Sequence, residues 1–214
     1  MPRVSEIYEK YKIMPSLQMH MLRVAAVATV ICDNIDEPID REAIILGSLF
    51  HDMGNIIKSD LNKFPQFIEP EGLVYWQEVK DEYLAKYGKD EVTASAMIMQ
   101  EVGVLPRAIE ICNQNQFTRL CEHALSNDLE IKIVHYSDGR VDPHGVKSYK
   151  ERMEEARIRY QQQNQKWEAG RQKLVNCGLE IEKQIFEKCR IKPEDITDEL
   201  VAPIIEELKN FVVK

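Results

Sequence analysis

Five histidines are few enough in this 214-residue chain to weigh one at a time: His20, His51, His123, His135 and His144. The adjacent pair His51-Asp52 sets two good ligands for a divalent cation side by side at the end of an apolar helical run. Consecutive helical side chains point about 100° apart, so the two can share an ion only at the helix rim, with further ligands arriving from other helices. His20 is a third candidate, because it lies on the apolar stripe of its own helix, one turn from Leu17 and from Val24. Asp138 is a fourth: it follows Ile131 by seven residues and Val134 by four, which places a carboxylate on an inward face. Burying an unpaired carboxylate is costly, and a cation relieves that cost. Taken singly, each has an ordinary explanation, His20 as a hydrogen-bonded core residue and Asp138 as a helix-end cap. The ordered set points instead to one divalent metal ion. Two imidazoles and two carboxylates form a mixed nitrogen and oxygen shell for manganese, iron, cobalt, nickel, zinc or magnesium, with positions left for water.

The elements that must position these residues are helical almost throughout, with no clear alternating strand pattern. Ser16 is expected to cap a helix running to about Asp33, and Asp40 to open a second that holds Ile44, Ile45, Leu49 and Phe50 and ends or bends at Gly54. Residues 55–73, with Pro65 and Pro70, form the longest irregular stretch and a lid candidate. Helical patterns resume over 72–87, 90–102, 106–113, 117–125 and 127–138. From Lys147 to Arg190 the composition turns to dense Lys, Arg and Glu without proline and includes a Gln/Asn-rich patch at 161–165, which predicts one or two long, solvated helices. A last helix is expected from Thr197. The fold class is therefore all-α: a metal-binding helical domain over 1–146 and a helical extension over 147–214 that packs on it or forms an oligomer contact.

The run Leu49-Phe50-His51-Asp52-Met53-Gly54, with His20 upstream and Tyr136-Ser137-Asp138 downstream, resembles the HD-domain superfamily of metal-dependent phosphohydrolases over roughly residues 16–146. The resemblance implies a helical bundle and hydrolysis of a phosphate ester of a small substrate, commonly a nucleotide, by a metal-activated water. Many two-metal members carry two further histidines. The matching regions here, Lys89–Ser95 and Ile111–Gln114, contain none, so a single ion is expected. Glu91 could offer a carboxylate to a second ion, or serve only as a first-turn acid favouring the helix dipole. His123 falls outside the family register. In single-metal relatives, acidic residues shortly after the His-Asp pair assist proton transfer. Asn55 stands where some of them have Glu, whereas Asp60 matches a second acidic position and becomes the general acid or base candidate, with a loop turn as its alternative. Lys58, just past the pair, and Arg140, two residues past Asp138, are the expected phosphate contacts; an ion pair with Asp142 stays open for Arg140. His144, in the turn Asp142-Pro143-His144-Gly145, receives no role.

Charge narrows the partners. The formal net charge of −8 divides into −9 over 1–146, +4 over 147–190 and −3 in the tail. Glu154, Glu155, Glu180 and Glu182 interrupt the basic segment, as in a solvated helix with intrahelical pairs, so a nucleic-acid polymer is not the expected partner. Tyr160, Trp167, Leu174, Ile181 and Ile185 leave a homo-oligomer contact open there. The longest wholly apolar stretch, within Val24–Ile31, is too short for a membrane span, and no secretory leader pattern opens the chain. Cys32, Cys112, Cys121, Cys177 and Cys189 are odd in number and never form C-x-x-C, which fits reduced thiols and a cytoplasmic location. Three functions follow: a metal-dependent phosphohydrolase acting on a small phosphorylated substrate such as a nucleotide; a catalytically weak module that keeps the metal and binds a nucleotide or signals; and a metal-free helical adaptor built on residues 147–190.

Overall fold

The computed structural model describes residues 1–160 and 167–213. Among these the chain forms α1 (Val4–Lys10), α2 (Pro15–Asn34), α3 (Arg41–Phe50), α4 (Gly72–Tyr87), α5 (Glu91–Val102), α6 (Pro106–Gln114), α7 (Leu120–Leu125), α8 (Leu129–Asp138), α9 (Tyr149–Tyr160), α10 (Trp167–Phe186) and α11 (Asp198–Lys209). Strand-like pairing among the described residues is confined to three isolated bridges, such as Val141 with Val146, so the all-α expectation holds.

Two helices form the centre for reasons local to their sequences. In α2, residues Val24 to Val30 are buried almost without interruption, because α3, α8 and α11 cover it from several sides. By length and composition α2 could cross a membrane, yet its apolar side chains are packed inside the bundle, as in the core helix of a globular protein. Ser16 does not cap it. Pro15 holds the first helical position, where its fixed φ suits the helix and its missing N–H costs nothing. In α3 the Asp40 carboxylate accepts the Ala43 N–H at 3.0 Å, a cap at the expected place. That helix stops at Phe50 rather than Gly54. Gly54 serves a different end: a Cβ there would lie 2.5 Å from the Glu91 carbonyl oxygen and 2.7 Å from the Ala94 Cβ, so its absence lets α5 dock beside the His-Asp pair.

The stretch expected as a lid is anchored. It contains two 3-10 turns, Asn55–Lys58 and Pro65–Phe67, and buries Ile56, Ile57, Leu61 and Ile68. The Trp76 indole donates to the Ile68 carbonyl at 3.1 Å and the Lys80 ammonium to the Ser59 carbonyl at 2.7 Å.

Toward the C-terminus, α10 packs on α7 and α8. Ile181 and Ile185, read as apolar surface for an oligomer, are completely buried within the chain, and Leu174 packs against the same core. The Gln/Asn-rich patch at 161–165 and the side chains of Tyr160 and Trp167 lie outside the described residues. The cysteines also depart from expectation. Cys121 and Cys177 form a disulfide that ties α7 to α10, while Cys32, Cys112 and Cys189 are free. Fifty-six residues separate the pair, and only the packing of those two helices brings them together.

Candidate metal centre

Three helices deliver four ligand-type side chains to one point. His20 comes from the second turn of α2, His51 and Asp52 follow the last turn of α3, and Asp138 ends α8. Each pair among these helices packs directly, so the convergence follows from the core itself. His20, His51 and Asp52 offer ligand atoms all within 4.8 Å of one another, and they are positioned to bind a metal. The Asp138 carboxylate closes the group, 3.1 Å from His20 Nε2 and 3.7 Å from His51 Nε2. Asp52 lies 3.7 Å from both imidazoles.

The protonation pattern of His51 suits a ligand. Its Nδ1 lies 2.9 Å from the Ser48 carbonyl oxygen, which can only accept, so Nδ1 carries a proton and Nε2 faces the cluster. That Nε2 is buried and has no hydrogen-bond partner among the described residues. A buried ring nitrogen left without a partner is costly, and coordination would satisfy it. Without an ion, burial works against charge on His51, but Asp52 and Asp138 outweigh it and raise its pKa to about 9. Burial likewise opposes the Asp138 carboxylate, but the neighbouring imidazoles of His20 and His51 overturn this and hold it well below the ordinary range. Two asparagines hold the carboxylates: the Asn55 amide donates to Asp52 Oδ2 at 2.8 Å, and the Asn115 amide to Asp138 Oδ2 at 3.3 Å. The Cys112 thiol, held neutral by burial that lifts its pKa to about 12, lies 3.5 Å from the His51 carbonyl oxygen.

The cluster opens into a cavity of about 1040 Å³. Lys58 lines it, with its ammonium 3.4 Å from the Glu91 carboxylate; partial desolvation disfavours that charge, but Asp52 and Glu91 together raise the pKa. Glu91 is thus engaged by Lys58 and lies outside the metal-ligand cluster. Asp60 lines the cavity too, exposed, with its carboxylate accepting the Asn62 N–H at 3.2 Å in a local turn.

Arg140 does not do what its position suggested. Its guanidinium is buried and donates to the carbonyls of Lys147, Pro193 and Ile196 and to the Tyr136 hydroxyl. It ties the loop after α8 to the segment before α11 and pairs with no acid among the described residues. Asp142, its alternative partner, accepts the backbone N–H groups of His144 and Gly145 instead. His144 is exposed in that turn, and His123 is a core residue whose Nε2 meets the Gln114 carbonyl at 2.9 Å.

Sequence reasoning missed several cavity residues. Asn115 lies one position beyond the segment inspected for a missing histidine. His135 precedes Asp138 by three residues and so shares its helix face, a signal the sequence did carry. Arg152 and Arg171 reach the cavity from α9 and α10 and had no local signal at all.

Among protein families, the HD domain matches residues 18–138 of this chain. No curated protein and no solved structure gives a significant match.

Proposed function

Because the chain belongs to the HD-domain family, the metal-dependent phosphohydrolase superfamily, we propose that it hydrolyses a phosphate ester of a small substrate, with a nucleotide as the first class to try. The observation that carries this reading is the unpartnered, buried Nε2 of His51, aimed at two carboxylates and a second imidazole on the wall of a large open cavity. In this proposal His20, His51, Asp52 and Asp138 hold one divalent ion. When bound, such an ion supplies Lewis-acid chemistry, activating water and neutralising charge on phosphoryl oxygens.

The chain's own groups do the rest. The Ser48 carbonyl fixes the His51 tautomer, and Asn55 and Asn115 orient the two carboxylates. Lys58, kept charged by its acidic neighbours, receives a phosphoryl oxygen. Asp60, on the same cavity wall, exchanges the proton with the leaving group. The phenylalanines Phe64, Phe67 and Phe117 offer apolar faces to the non-phosphate part of the substrate.

One observation favours a second reading, a binding or signalling module of the same fold. Asn55 donates to Asp52 and has no proton to exchange, so one position that could serve proton transfer is spent on orientation. The discriminating experiment measures phosphate release from a nucleotide panel with manganese, cobalt or nickel, for wild type and Asp52→Ala. Metal-dependent release that disappears in the variant supports the hydrolase. A metal-loaded wild type that releases nothing establishes the module.

A further inference from the structure

The helical extension takes part in the cavity rather than standing beside it. Tyr149, Arg152, Met153, Ala156 and Arg159 all line it, and their spacing of three, four, seven and ten residues from Tyr149 is one continuous stripe of α9. Arg171 joins them from α10 and reaches back to the Met153 carbonyl. Within the family-matched residues 18–138, the Lys and Arg side chains on the cavity are Lys58 and Lys63. The extension adds four more: Arg152, Arg157, Arg159 and Arg171.

This wall is fixed relative to the metal ligands. The ring of Tyr149 sits between two glycines, one immediately after Asp138 and one on α10. A Cβ on Gly139 would lie 2.5 Å from the Tyr149 ring, and one on Gly178 would lie 1.9 Å from its hydroxyl oxygen. Tyr136 of α8 stacks on Tyr149 at 6.0 Å and donates to Glu182 of α10 at 2.7 Å. The stripe also carries excess positive charge. Glu155 is shared by Arg152, at 3.0 Å, and Arg159, at 2.8 Å, so these three side chains carry one net positive charge. Arg157 pairs with Glu154 in the ordinary intrahelical manner.

We propose that α9 and α10 form an anion-reading wall in which Arg152 and Arg171 receive a second phosphoryl group, so that the site takes compounds with two or more linked phosphoryl groups in preference to simple monoesters. This rests on the phosphohydrolase reading for the place of the first phosphoryl group. The guanidinium fork matches two phosphoryl oxygens at once, which an ammonium such as Lys58 cannot do.

The test is calorimetric binding of inorganic orthophosphate and pyrophosphate to the full chain as purified, with no metal added. Wild type is expected to bind pyrophosphate at least about tenfold more tightly. Arg171→Gln should erase most of that preference, and Arg171→Lys should restore it only partly. Arg152 also donates to the Val141 carbonyl, so Arg152→Gln is read beside its thermal unfolding midpoint, and Arg171→Gln alone decides if that midpoint falls. Equal affinity for the two anions in wild type, or a preference that survives Arg171→Gln, overturns the proposal. Failure of the phosphate-release assay leaves this binding result standing, so the two readings fail separately.

Discussion

The molecule holds two histidine pairs of nearly the same geometry. His20 and His51 have ring centroids 5.4 Å apart at 61°, and His123 and His135 have theirs 5.4 Å apart at 64°. Their surroundings differ in one respect that decides everything else. Asp52 and Asp138 stand within 3.7 Å of the first pair. At the second, His123 rests on a backbone carbonyl and His135 Nδ1 is buried with no partner among the described residues. One ring of each pair, His51 and His135, is deeply buried, and burial by itself favours neutral imidazole there. Carboxylates reverse the outcome at His51, whose pKa rises to about 9, whereas burial takes His135 down to about 4. Paired imidazoles therefore do not make a metal site. The charge placed beside them does, and in this fold it is supplied by the residue after His51 and by the end of α8.

Removing that charge should give the largest effect. Asp138→Ala is expected to lower affinity for manganese or cobalt, measured by calorimetry, by well over the roughly 10- to 100-fold typical of changes outside the ligand set. An affinity within tenfold of wild type would make the two pairs equivalent and remove Asp138 from the ligands. Next comes a change at the other pair. His135 titrates near 6.5 when unfolded but only near 4 when folded, so between those values the unfolded chain binds more protons and stability falls as pH drops. That loss amounts to about 3 kcal/mol by pH 4, at 1.36 kcal/mol per pH unit. His135→Phe keeps a ring against His123 and removes the titration. Its urea-unfolding free energy should fall less than that of wild type between pH 7 and 4, with metal affinity unchanged. Parallel acid limbs for the two proteins would contradict the neutral assignment of His135.

The contrast between the pairs also shows what a sequence can disclose. The order His20, His51-Asp52, Asp138 was legible because each residue declares its inward orientation locally, through spacing from Leu17, Val24, Ile131 and Val134 along its own helix. The Asp40 cap and the helical class were legible on the same footing. Arg140 was misread because its true partners, the carbonyls of Pro193 and Ile196, lie more than fifty residues away and are set by how the C-terminal segment docks. Arg152 and Arg171 were hidden for a related reason. Intrahelical Glu-Arg pairs make α9 resemble a solvated helix, and only its orientation against α8 turns one stripe toward the cavity. The Cys121–Cys177 disulfide depends on the same long-range packing.

The smallest effects should come from the residues that hold the carboxylates in place. Asn55 and Asn115 each place an amide N–H on one oxygen of a metal-site aspartate, at 2.8 Å and 3.3 Å. On Asp138 this leaves Oδ1 toward the imidazoles, whereas on Asp52 the bonded Oδ2 is itself the oxygen that faces them. Deleting the shorter bond should matter more. Asn55→Ala is expected to weaken metal binding by about tenfold, near the lower end for such supporting groups, and Asn115→Ala by less. The order is informative because it separates orientation from cavity exposure. Both asparagines line the cavity, so if simple access of water to the ion set the affinity, the two variants would weaken it alike. If hydrogen-bond length sets it, the gap between them should persist across manganese, cobalt and nickel. A reversed order would place the weight on Asp138 and α8, and so tie the difference between the two histidine pairs to that carboxylate rather than to Asp52.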